Sequence, residues 1–160
     1  MKNINKMCSF YVNEWHLTVM LLPHINKELE KKKQIEIISE ENLQLHIDSV
    51  ISRTNIKEET KSKINKIDWS QTENIQEKLT DLKENSDIII IGNKKYIEEA
   101  NKMVEQTVGN KEITIINCYE VMQFNNNMEE ILKTHNKVLN TSGARDIEEI
   151  YNRCNKKEVI

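Results

Sequence analysis

The sequence predicts an α/β fold: a mainly parallel sheet of five strands or more, covered by helices on both faces in three layers. Three observations predict it. Five short apolar runs alternate with longer segments of helical period. The runs are rich in β-branched residues, and Ile88 to Ile91 is continuous, as in a central strand buried on both faces. Strand alternating with helix along one 160-residue chain is the pattern of right-handed crossovers over a parallel sheet.

The first run, residues 7–12, leads into a helix whose apolar residues Leu17, Leu21, Ile25 and Leu29 recur at four-residue spacing. Pro23 lies inside this helix, where its missing N–H removes one backbone bond and bends the axis. Residues 34–38 form the second strand, and Leu43, Ile47, Val50 and Ile51 line the next helix. The polar stretch 53–65 is a short exposed helix or a loop. Residues 66–69, with Ile67 and Trp69, form a third strand, followed by a stripe through Ile75, Leu79 and Leu82. Residues 87–91 form the fourth strand, and Ile97, Ala100, Met103 and Val104 line its crossover. After the fifth strand, 112–118, a helix is expected through Met128, Ile131, Leu132, His135 and Leu139, and a last short one through Ile147, Ile150, Tyr151 and Cys154. No internal repeat and no Pro/Gly/Ser-rich linker interrupts the chain, so residues 1–160 read as a single domain.

Composition excludes several function classes. Lys+Arg number 23 against Asp+Glu 26, a net charge of -3, so no global positive field recruits nucleic acid or an anionic membrane. Lysine greatly outnumbers arginine, a bias that follows AT-rich codons, and clusters such as Lys31-Lys32-Lys33 therefore carry little meaning. Cys8, Cys118 and Cys154 are widely spaced with no CxxC pair, the pattern of free thiols in a reducing compartment. The apolar stretch 17–22 contains Thr18 and is closed by Pro23, too short for a signal sequence or a membrane span, and a cytoplasmic location is expected.

Familiar catalytic patterns are missing. There is no GxxxxGK[ST] and no GxGxxG, and Gly92, Gly109 and Gly143 are the only glycines. Gly92-Asn93-Lys94-Lys95 reads as a strand-to-helix turn, with an anion cradle the weaker reading. The histidines and cysteines include no pair at metal-ligand spacing, so neither metal nor cofactor is expected, and His24 and His135 read as hydrogen-bonded core imidazoles beside apolar stripes. No GxSxG elbow is present, and the chain is not expected to be an enzyme.

Chemistry gathers instead at two strand ends. Cys8, Tyr11 and Glu14 close the first strand and open its helix; Cys118, Tyr119 and Glu120 follow the fifth. Ligands of open parallel sheets bind beyond the carboxyl ends of the strands, and such a set makes a half-apolar pocket with a few polar handles. In the competing reading the thiols are small core residues and the tyrosines cover the sheet edge.

These segments resemble the MEDS sensory domain of methanogen and methylotroph regulators. Lys6-Met7-Cys8-Ser9-Phe10-Tyr11-Val12-Asn13-Glu14 is similar to its H-I-C-x-x-Y opening, and Leu21-Leu22-Pro23-His24-Ile25 to its apolar-Pro-apolar helix. Ile116-Asn117-Cys118-Tyr119-Glu120, followed by Phe124, resembles its C-x-Y-D segment, and His135-Asn136-Lys137-Val138-Leu139 with Gly143 its H-P-x-V-L closing motif. Lys6, Glu120 and Asn136 stand where the family carries His, Asp and Pro. The match spans residues 6–143 and leaves 144–160 as a C-terminal helix or tail.

The resemblance implies a RecA-like or Rossmann-like sandwich that has lost its phosphate loop. It implies a non-catalytic sensor that binds a small organic ligand near Cys8, Tyr11, Cys118, Tyr119 and His135, with no cofactor. Family members are commonly joined to a DNA-binding or kinase module for which this length leaves no room, so a stand-alone form would act on a protein partner, a kinase or a transcription regulator. Two alternatives stay open: a degenerate nucleotide binder or enzyme using Lys6 or Lys94, and an interaction module without ligand that forms a homodimer through an exposed apolar helix face.

Overall fold

The computed structural model describes residues 3–124, 128–140 and 143–146. The elements run β1 (Ile4–Tyr11), α1 (Glu14–Glu30), β2 (Ile35–Ser39), α2 (Gln44–Arg53), α3 (Glu58–Asn65), α4 (Ile75–Leu79), β3 (Ser86–Ile91), α5 (Lys94–Thr107), β4 (Ile113–Glu120), α6 (Val121–Phe124), α7 (Met128–Lys133), β5 (Lys137–Asn140) and β6 (Gly143–Asp146). Asparagine sets the starts of α1 and α5. Asn13 Oδ1 accepts from the His16 N–H at 2.9 Å and Asn93 Oδ1 from the Tyr96 N–H at 2.8 Å, each satisfying a donor that the first turn would leave unpaired. α1 continues through Pro23 to Glu30.

The strands form a six-stranded sheet in the order β2-β3-β4-β1-β5-β6. Every pairing is parallel except that of β6 with β5. β3 lies inside the sheet and every residue of it is buried, which is why its isoleucines run without alternation. α1, α2 and α3 pack on one face against Met7, Ile37, Ile89, Ile116 and Cys118. On the other face, α4, α5 and α7 pack against Cys8, Ile38, Ile88, Ile90, Ile115 and Tyr119. The result is a three-layer, Rossmann-like α/β sandwich, as the sequence predicts.

The element list needs correction in three places. Residues 66–69 are not a strand. Ile67 and Trp69 alternate with polar neighbours as strand residues do, but Trp69 serves as a plug: it is wholly buried in a loop, and its Nε1–H donates to the Ile64 carbonyl at the end of α3 at 3.1 Å. The helix expected through His135 and Leu139 stops at Lys133, and Leu139 belongs to β5. Asn136 causes the change, because its N–H donates to Lys6 O at 2.7 Å while its Oδ1 accepts from Lys6 N–H at 3.1 Å, drawing the chain alongside β1. Residues 144–146 lie in the edge strand β6, and the helix expected through Ile147 to Cys154 lies outside the described residues.

Candidate functional site

β1 and β4 are neighbours, yet the chain leaves them toward opposite faces, through α1 on one side and α7 on the other. That divergence opens a crevice at their carboxyl ends, the usual ligand position in such sheets. Here it is small, about 60 Å³, and lined by Tyr11, Glu14, Glu40, Glu41, Gly92, Asn93 and Glu120. Burial, and then Cys118 and the carboxylates of Glu120, Glu41 and Glu14, hold the Tyr11 phenol well above its ordinary range.

The turn before α5 already holds an anion of its own. The Glu40 carboxylate accepts from Asn93 N–H at 3.2 Å and from Asn93 Nδ2 at 3.1 Å. A Cβ on Gly92 would lie 2.6 Å from Tyr96 Cδ1 and 3.2 Å from Glu40 Cβ, so glycine is needed there for packing. An incoming phosphate would meet Glu40 and the neighbouring glutamates rather than free amides.

A larger cleft, about 370 Å³, lies on the opposite face between α5, α7 and the strands β1 and β4. Its floor is a buried polar array. Asn101 Nδ2 donates to Ile97 O at 2.7 Å and to Asn117 Oδ1 at 2.8 Å, and Asn117 Nδ2 in turn reaches His135 Nε2 at 3.0 Å. His135 Nδ1 lies 2.5 Å from the Ile131 carbonyl. That contact assigns the ring proton to Nδ1 and leaves Nε2 to accept from Asn117.

Burial lowers the His135 pKa, with the Lys6 charge acting in the same direction and the bond to Ile131 opposing, so the ring is neutral at pH 7. Tyr119 stands edge-on to His135 with ring centroids 6.0 Å apart, and stacks on Phe10 at 5.8 Å. Lys6 pairs with Glu105 at 2.8 Å on the cleft wall, and Ile97 and Ile131 supply apolar lining.

The structure thus divides the residues singled out by sequence. Tyr119 and His135 meet in the larger cleft; Tyr11, Glu14 and Glu120 meet in the smaller one. Cys8 and Cys118 line neither cleft: both are fully buried, in the cores on opposite faces. His135 is a hydrogen-bonded imidazole as expected, whereas His24 Nε2 is buried with no hydrogen-bond partner. Sequence reasoning missed Asn101 as a site residue and did not carry Asn117 into the pocket. The signal was a carboxamide at the buried centre of an isoleucine strand.

Comparison of the chain with protein-family models, with curated proteins and with solved structures found no match. Among the described residues, no helix is long and apolar enough to cross a membrane.

Proposed function

We propose that this chain is a sensory domain that binds a small, neutral, hydrogen-bonding organic molecule in the cleft between α5 and α7 and passes the bound state to a protein partner. The observation that carries this reading is the Asn101–Asn117–His135 array on the floor of that cleft. A fixed polar row set under an opening of 370 Å³ suits a ligand that is polar at one end. The donors of this row are engaged within it, while its carboxamide oxygens keep acceptor capacity for a ligand's donor, and Tyr119, Ile97 and Ile131 favour an organic body. The MEDS resemblance adds support, because its C-x-Y segment and its closing histidine, remote in sequence, are joined here by one hydrogen bond.

Native mass spectrometry of gently purified protein, compared with its denatured mass, tests the reading. A mass increment that disappears on denaturation and is absent from His135→Ala is the expected result. An unliganded mass, together with no thermal shift across a panel of small neutral amides, alcohols and ketones, would reject it. An increment that survives both His135→Ala and Tyr119→Phe would place the ligand elsewhere.

A further inference from the structure

A cleft of about 510 Å³ lies on the α1 face near the amino ends of the strands, away from both sites above. His24, Glu28 and Asp87 meet at its wall. His24 and Glu28 project from one side of α1, being one helical turn apart, and Asp87 comes from the start of β3. One ligand atom from each lies within 4.8 Å of the others. His24 Nε2 and Asp87 Oδ2 are 3.8 Å apart, too long for a hydrogen bond, and both atoms are buried without a hydrogen-bond partner. The Asp87 side chain is only 2% exposed.

Two such orphaned atoms facing each other are costly, and an ion between them is one of the few arrangements that satisfies both. We propose that His24, Glu28 and Asp87 form a binding site for a divalent first-row transition cation, with water from the adjoining cleft completing its coordination. An imidazole with two carboxylates is a borderline donor set, matched to zinc, manganese, iron or cobalt rather than to calcium or magnesium. Bonds of about 2.1 Å in a tetrahedral site hold neighbouring ligand atoms about 3.4 Å apart, so His24 and Asp87 need to close by only about 0.4 Å.

The carboxylates of this cluster already carry lysine counter-charges with which a bound cation must compete. Lys33 Nζ lies 2.9 Å from Glu28 and 3.3 Å from Asp87 Oδ1, and Lys31 lies 3.4 Å from Glu28 Oε1. Lys33 therefore acts as a resident counter-charge that leaves His24 Nε2 and Asp87 Oδ2 untouched.

Titration of the full chain with Co²⁺, followed by visible ligand-field absorption and by Zn²⁺ displacement, tests the site. One equivalent is expected to bind saturably. His24→Ala and Asp87→Asn should each weaken binding at least about tenfold. His46→Ala, on the exposed face of α2, should bind as the wild type does, and Lys33→Gln should bind more tightly because a competing cation is gone. Circular dichroism checks each fold, and if Asp87→Asn fails to fold, Glu28→Gln takes its place under the same criterion. No saturable binding to the wild type, or unchanged affinity in His24→Ala, would overturn the proposal.

Discussion

Asn117 Nδ2 and His135 Nε2 lie 3.0 Å apart, joining the buried centre of β4 to the turn that leads into β5. Among the described residues, the bond spans the stretch in which the chain passes from one side of β1 to the other, so it links the cleft floor to the path of the chain. His135→Ala would leave a buried amide donor unpaired and should cost about 1–3 kcal/mol, read as a lower urea midpoint at unchanged slope.

The same bond makes stability depend on pH. The folded-state pKa of His135 is lowered, so as pH falls below about 6.5 the unfolded chain takes up the proton first and the wild type loses stability until the folded pKa is passed. His135→Gln lacks that titration. The stability advantage of the wild type over His135→Gln should therefore shrink between about pH 7.5 and pH 5, and a constant difference would contradict the neutral-ring assignment.

Gly92→Ala should destabilise by about 1–3 kcal/mol, because the new methyl would lie 2.6 Å from the Tyr96 ring. Tyr96→Ala removes the obstruction. The double variant should then lose less than the sum of the two single losses, and strict additivity in a denaturation cycle would show that the close approach is not the cause.

The two tryptophans should report separately. Trp69 is wholly buried, whereas Trp15 is 46% exposed with the Arg53 guanidinium over its ring. Acrylamide should quench the native fluorescence of Trp69→Phe, which retains Trp15, much more efficiently than that of Trp15→Phe. Trp69→Phe should also lose about 1–3 kcal/mol, since the buried indole bond to the Ile64 carbonyl is lost and the smaller ring leaves a gap.

Thiol chemistry discriminates core from pocket. Burial pushes the Cys8 thiol up to about 12 and raises that of Cys118 as well, so neither forms a thiolate at neutral pH. In a Cys154→Ser background, neither should react with a disulfide reagent until urea is added. Rapid labelling of native protein would show that Cys8 or Cys118 faces an open cavity.

The legible part of the fold was the part written in local pattern. Ile88 to Ile91 announced a covered strand, and the spacing of Leu17, Leu21 and Ile25 announced a helix lying on the sheet, because burial on one face or two leaves its period in the sequence. Trp69 misled for the same reason: Ile67 and Trp69 alternate with polar residues whether they lie in a strand or fill a gap beneath α3. Leu139 fitted a helical stripe until Asn136 clasped Lys6 and turned the chain into β5.

The sequence by itself determined the class of fold and the absence of a glycine-rich phosphate loop. Tertiary structure alone decided which residues share a site. Successive strand side chains point to opposite faces, so Cys118 and Tyr119, adjacent in the chain, serve different cores, while Asn117 and His135 are brought within 3.0 Å by the crossover that carries α7 over the sheet. His24 and Asp87 meet because α1 and β3 pack together, a contact between distant segments that leaves no periodic trace in either of them.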